Sequence, residues 1–266
     1  MNLERGAVAG LVGLLVLFLG LPVIVLVVRA VGGGAFLAAL GDPVVLDALW
    51  LSLTTTAVSL ALTVVLGAPL AYVLARRRFR GSAVLETIVD LPIVLPPSVA
   101  GLALLLVFGR QGLLGPSLEA FGLTIPFTTL AVILAQVFVA APFFVRSARA
   151  GFGGVDRDLE DAARVDGAAE RQVMRWITVP LARSALAAGL VMTWARALGE
   201  FGATIMFAGN IAGQTQTLPL VVYGEFGAGN LDASIAAAAI LVLAAIGVLA
   251  AVRLLGWRRA LDLRAA

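Results

Sequence analysis

The sequence predicts an all-α integral membrane protein in which six helices span the bilayer. Two observations carry this prediction. Of the 266 residues, 61% are hydrophobic and only 13% are charged, and the mean hydropathy is +1.04. That is more apolar side chain than a soluble domain of this size buries. The apolar residues also fall into six runs, each near or above the ~20 residues that a helix needs to cross a hydrocarbon core.

The first run, about 7–29, exceeds the apolar core of a signal peptide and reads as a retained first helix. The VGGGA that follows it is the feature a cleaved leader would share. The second run covers about 47–75. The third, about 84–109, contains DLPIVLPPSVAG. Pro92, Pro96 and Pro97 donate no backbone hydrogen bond and clash with carbonyls one turn earlier. In lipid this is tolerated only where protein or water satisfies the freed carbonyls. Two readings follow: a packing kink inside a bundle, or a broken helix beside a polar path. On the second reading Pro96, Pro97 and Ser98 border that path. The fourth run is about 125–148.

A polar loop of about 149–182 comes next. DRDLEDAAR places acids in a first helical turn, where they suit the helix dipole. Val173, Trp176 and Ile177 recur at helical spacing. Gly167 separates the two stretches, so two short helices are expected on the membrane surface.

The fifth run, about 183–208, carries charge near its middle. In RALGEFGAT, Arg196 and Glu200 are spaced i, i+4 and share a face if the helix continues. Each alone costs ~2.5–3.5 kcal/mol at the bilayer centre on insertion scales. Paired, they either fix helix register or line a path in which Arg196 attracts an anion and Glu200 limits its dwell time. Ala195, Gly199 and Ala203 would form a neighbouring stripe that admits another helix. GNIAGQTQTLP then connects to the sixth run, about 232–255. Gln214, Thr215, Gln216 and Thr217 there offer uncharged donors, either as an ordinary polar loop or as weak guides for an anion.

Arginines set the orientation. Sixteen lie at one set of span ends and two, Arg29 and Arg110, at the other, which places both termini in the cytoplasm. The sequence pI of about 10.5 therefore reflects membrane topology, and no nucleic-acid partner is expected. With no cysteine and no histidine, disulfides, thiolate metal sites and the commonest zinc ligand are excluded. All basic residues are arginine, so no phosphate-binding loop ending in Lys-Ser or Lys-Thr exists. No catalytic constellation is visible, and the chain is read as no enzyme. Whatever energy the chain uses must come from a gradient or a partner.

Residues Asp161–Pro180, DAARVDGAAERQVMRWITVP, resemble the "EAA" loop of ABC importer permeases. The matching positions are Asp161, Ala162, Ala163, Gly167, Ile177 and Pro180, with aspartate at 161 where glutamate is usual. LPIVLPPSVAG, ARALGEFGATIMFAGN and TQTLPLVVY resemble the molybdate, tungstate and sulfate branch, and GEFGAT followed by TQTLP looks most like its molybdate members. The resemblance implies an ABC importer permease fold with cytoplasmic coupling helices, in the inner membrane. It also implies a homodimer, two ATPase subunits that hold ATP and magnesium, and an external binding protein that delivers an oxyanion. No cofactor is then bound by this chain. The substrate implied is molybdate or tungstate, with sulfate or thiosulfate as the alternative. A gradient-driven transporter would leave Asp161–Pro180 without a purpose.

Overall fold

The computed structural model describes residues 2–77 and 79–262, with side chains over 8–77 and 79–250. The side chains of Arg5, Arg78, Arg253, Arg258, Arg259 and Arg264, part of the arginine count, lie outside the described residues, as does that of Trp257. Among the described residues the regular elements are all helices. In chain order they are α1 (Asn2–Gly32), α2 (Ala35–Leu40), α3 (Pro43–Arg76), α4 (Ser82–Val94), α5 (Pro97–Phe108), α6 (Gly115–Ala120), α7 (Thr129–Gly153), α8 (Arg157–Val165), α9 (Glu170–Val173), a π-turn (Met174–Thr178), α10 (Val179–Leu198), α11 (Gly202–Phe207), α12 (Leu218–Gly227) and α13 (Leu231–Asp262). Among the described residues five stretches are long and apolar enough to cross a bilayer, Val8–Gly32, Pro43–Arg76, Thr129–Gly153, Glu170–Leu198 and Leu231–Ala250, and the bent pair of α4 and α5 makes a sixth if it is taken as one span.

The chain forms two compact units, with a boundary inside α3. One unit holds residues up to 49 and from 217 onward. Asp42 caps α3 there by accepting the Val44 N–H at 2.8 Å, which satisfies one of the free donors of a helix start. Its core joins Ala39, Val45 and Ala48 to Leu218, Val221, Ala236 and Ile240. Nearly every large apolar side chain of α1 is exposed. A helix that is apolar all round needs apolar surroundings, and here lipid supplies them.

The other unit, Trp50–Gln216, is organised around α7. Helix α10 packs on it through small residues. A Cβ on Gly151 would lie 2.7 Å from Ala185 Cβ, and one on Gly189 would lie 2.8 Å from Ser147 Cβ. Without a hydrophobic force between helices in lipid, such close backbone approach provides the attraction. On α3, Ser52, Thr55, Thr56, Ser59 and Thr63 recur on one face and are all buried. Gln136 of α7 bonds into this row. It accepts from Ser59 Oγ at 2.9 Å and donates to Thr55 and Thr56 at 3.3 and 3.4 Å.

One stretch takes the broken form that the sequence offered, and two others differ from the sequence reading. The run 84–109 is not one helix: α4 and α5 meet at 118°. The cause is local. Leu95 and Pro96 each precede a proline, which pushes them out of the helical region, and both are extended, with ψ of 132° and 136°. Pro97 then starts α5, where its missing N–H costs nothing. The fifth run does not reach 208 as one helix, because α10 ends at Leu198 and α11 starts afresh at Gly202. Ala195 and Gly199 are accordingly exposed and form no packed stripe with Ala203, which is buried. Finally, α9 does not stop as a separate surface helix. It runs through the π-turn into α10, so that Glu170–Leu198 is one stretch of 29 residues. Pro180 explains the π-turn. It has no N–H to give the Trp176 carbonyl, and wider turns accommodate such a defect.

Candidate functional site

The loop between α7 and α10 has a polar outer face and a buried inner one. Asp156 caps α8 by accepting the Asp158 N–H at 3.0 Å. The helix ends at Gly167, whose φ is +90°. The Gly167 N–H bonds the Arg164 carbonyl at 3.0 Å and the Ala168 N–H bonds the Ala163 carbonyl at 2.9 Å. This is a Schellman end, which requires a left-handed residue and favours glycine. Gln172 then accepts the Ala169 N–H at 2.8 Å and opens α9. On the outer face Arg164 binds Asp161 at 2.6 Å and Glu170 at 2.7 Å. The bond to Glu170, more than that to Asp161, holds the Arg164 guanidinium above its ordinary range.

Of the six EAA-like motif positions, the structure brings three around one shallow cleft of about 400 Å³. Ala163, Gly167 and Ile177 line it together with Val173 and Trp176. Asp161 and Ala162 are exposed on α8, and Pro180 is exposed in the first turn of α10. Leu159, Val165 and Trp176 present apolar surface to the outside, and Arg175 lies over the Trp176 ring at 5.2 Å.

The inner face holds a group that the sequence reading missed. Glu160 is 3% exposed. One of its oxygens takes the Arg76 guanidinium at 2.7 Å and the Thr178 hydroxyl at 2.6 Å. The acid that is buried is thus Glu160, while its motif neighbour Asp161 faces outward. The separation of 84 positions from Arg76 to Glu160 left no periodic signal from which to pair them.

A second constellation lies where the two broken helices meet. The starts of α5 and α11 are in close contact. A Cβ on Gly202 would lie 2.6 Å from Pro97 Cβ and 3.2 Å from the Ser98 N, and one on Gly101 would lie 2.6 Å from the Ala203 carbonyl oxygen. Pro97 and Ser98 are therefore brought against the α10–α11 break, and Pro96 is the turn residue before them. Glu200, 1% exposed, sits inside that break, two residues past the end of α10. Its Oε1 accepts the Ala203 N–H at 2.7 Å and so serves the start of α11. Its Oε2 contacts Arg196 Nη1 at 2.6 Å as an ion pair that is not aligned as a hydrogen bond. The two charges do not share a helix face. Glu200 reaches back from outside the helix.

Thr217 belongs to the other unit, buried at the start of α12, and its hydroxyl makes no hydrogen bond among the described residues. The Thr215 hydroxyl accepts the Ile211 N–H at 2.9 Å, so it serves its own loop. Asp90, half-exposed on α4, pairs with Arg146 of α7 at 3.4 Å.

A helical membrane chain with a polar loop between long spans has known counterparts. Residues 64–260 match the family described as the inner membrane component of binding-protein-dependent transport systems. The chain belongs to this family. It is 42% identical to the molybdenum transport system permease protein ModB of Mycobacterium tuberculosis, over 89% of this chain and 87% of that one. It is 36% identical to the sulfate transport system permease protein CysW of Synechococcus elongatus, over 87% of this chain and 83% of that one. The crystal structure of a bacterial ABC transporter involved in alginate import shares the fold, with a TM-score of 0.77, 18% identity and coverage of 96% and 95%.

For an inner membrane component of such a system, the matched region runs from the second half of α3 through the loop, both helix breaks and α13. The loop cleft and the α5–α11 contact both fall within it. The buried hydroxyl row was legible in LSLTTTAVSLALT, where Ser52, Thr55, Ser59 and Thr63 recur three or four residues apart. Its partner Gln136 was not.

Proposed function

We propose that this chain is the membrane-spanning subunit of an ATP-driven importer that carries molybdate, or tungstate, into the cytoplasm by alternating access. The observation that carries the reading is the 42% identity over 89% of the chain to a molybdenum permease. Two copies of the chain form the membrane part. Each offers its 149–182 loop, through Asp161, Ala162, Ala163, Gly167, Ile177 and Pro180, to one of two ATPase subunits that hold ATP and magnesium. An external binding protein delivers the oxyanion. The arginine bias puts both termini and this loop on the cytoplasmic side of the inner membrane.

The geometry supports this division of labour. The loop carries a cleft and exposed apolar side chains at its outer face. The continuous helix from Glu170 to Leu198 spans 29 residues, roughly 43 Å at the α-helical rise. It links the docking end to the Arg196–Glu200 break. Closure of the ATPase pair would draw the two loops together and swing these helices. The translocation path is assigned to Arg196, Glu200, Pro96, Pro97 and Ser98, all in the Trp50–Gln216 unit. Arg196 is 27% exposed and already paired with Glu200. A partly neutralised cation attracts a divalent oxyanion without trapping it, which conduction requires.

The test is reconstitution in proteoliposomes with an ATPase subunit and an oxyanion-binding protein from the same organism. Uptake of molybdate is followed by elemental mass spectrometry. ATP-dependent uptake that a tenfold excess of sulfate does not displace is the expected result. Displacement by sulfate would favour a sulfate permease, and uptake without ATP would favour a gradient-driven transporter.

A further inference from the structure

We propose that Arg76, Glu160 and Thr178 form a positioning joint. It locks the loop helix α8 to the last turn of α3 and to the π-turn of the long helix, so that all three move as one body. The inference rests on the proposed docking of an ATPase subunit to this loop, and it names buried residues that do not themselves line the docking cleft.

The bonds are directional and converge. Arg76 Nη2 donates to Glu160 Oε1 at 2.7 Å, and Arg76 Nη1 donates to the Val155 carbonyl at 3.1 Å. Arg157 Nη2 donates back to the Arg76 carbonyl at 3.3 Å, which satisfies a free acceptor at the end of α3. The Thr178 hydroxyl donates to the same Glu160 oxygen at 2.6 Å. The side chains of Arg76 and Glu160 are 9% and 3% exposed. Thr178 is 1% exposed.

Stability alone does not call for this arrangement. A buried ion pair is often matched or bettered by apolar residues of similar volume, and apolar residues are plentiful in this chain. An apolar contact, however, allows helices to slide, whereas a shared carboxylate oxygen with two short donors fixes one register. Thr178 closes the π-turn, and such turns recur at functional positions. Through it the joint reaches the helix that ends at Leu198, next to Glu200. Displacing α8 then pulls α3 through Arg76 and the long helix through Thr178.

The chain has no cysteine, so Arg171→Cys, at an exposed position of α9 that does not line the docking cleft, and Arg77→Cys, at an exposed position just past α3, place two spin labels across the joint. Distances are measured by pulsed electron resonance in the complete complex with its ATPase subunits, with and without ATP. Singly labelled controls remove distances between copies. The expected result is one narrow distance that ATP leaves unchanged. Thr178→Val, of the same shape and with the ion pair intact, should raise the ratio of population outside that peak to population within it about threefold, the factor one intramembrane hydrogen bond supplies. Thr178→Ser should restore the peak. Arg76→Gln should broaden it further and raise the ATP hydrolysed per anion moved.

A distribution in Thr178→Val and Arg76→Gln identical to that of the parent overturns the joint, as does a parent distance that changes on ATP addition. A complex that transports a different oxyanion but keeps the narrow distance overturns the substrate alone. Failure of any ATPase subunit to bind the loop overturns the docking reading and the joint with it.

Discussion

Glu200 lies outside the helix that carries Arg196, yet its carboxylate meets that guanidinium at 2.6 Å. The same carboxylate caps α11 through the Ala203 N–H. One buried side chain thus joins the end of one helix to the start of the next across a three-residue break. The break exposes the last carbonyls of α10 and the first amides of α11, and Glu200 with Arg196 answers part of that need.

This double duty changes what variants should do. Arg196→Met leaves a buried carboxylate without its counter-ion. Breaking such a pair costs ~3–5 kcal/mol in soluble proteins, and less in membranes, where the unfolded reference also finds partners. Arg196→Met and Glu200→Leu should each lower the yield of folded protein and its unfolding temperature in detergent. The double variant removes both charges but also the cap, so it should recover all but about 1 kcal/mol. Glu200→Gln, which keeps an acceptor for Ala203, should be milder than Glu200→Leu. Equal stability of all four would refute a mutually dependent pair. Uptake by the double variant separates a register role, with near-normal rates, from a path role, with ATP hydrolysis but little anion moved.

Gly167 ends α8 in a left-handed conformation with open space around it. The penalty for a side chain there is in the backbone, about 1–2 kcal/mol for an L-residue. Gly167→Val should insert into the membrane but lose the response of ATP hydrolysis to the loaded binding protein. Gly167→Asn, the other residue that tolerates this conformation, should retain most of it. A Gly167→Val complex with a normal response would remove the Schellman end from the coupling path.

The α5–α11 contact is tight where the fifth-run stripe is not. Gly101→Ala would bring its Cβ within 2.6–2.9 Å of Ala203 backbone atoms and the Met206 Cβ, and Gly202→Ala would meet Pro97 Cβ at 2.6 Å. Overpacking of this kind costs ~1–3 kcal/mol. Gly199→Ala meets only the Ala195 carbonyl at 3.5 Å and should be neutral. Unfolding temperatures of the three variants check the order, and a destabilised Gly199→Ala would return the stripe to the packed interior.

Much of this protein was determined by the sequence alone. Hydropathy sets membrane insertion, since any run of some twenty apolar residues prefers lipid whatever its neighbours. Pro96 and Pro97 dictate a break because the constraint is covalent and local, and Gly167 marks a helix end for the same reason. The EAA-like spacing lies within twenty consecutive residues and survives without knowledge of the fold. Tertiary structure decided the rest. The size of the α4–α5 bend, the end of α10 at Leu198 and the choice of Glu160 over Asp161 as the buried acid all depend on partners far along the chain. A carboxylate is buried where an arginine 84 residues away and a threonine 18 residues on converge on it. Periodicity reads one face of one helix at a time and carries no information about which distant donor will arrive there.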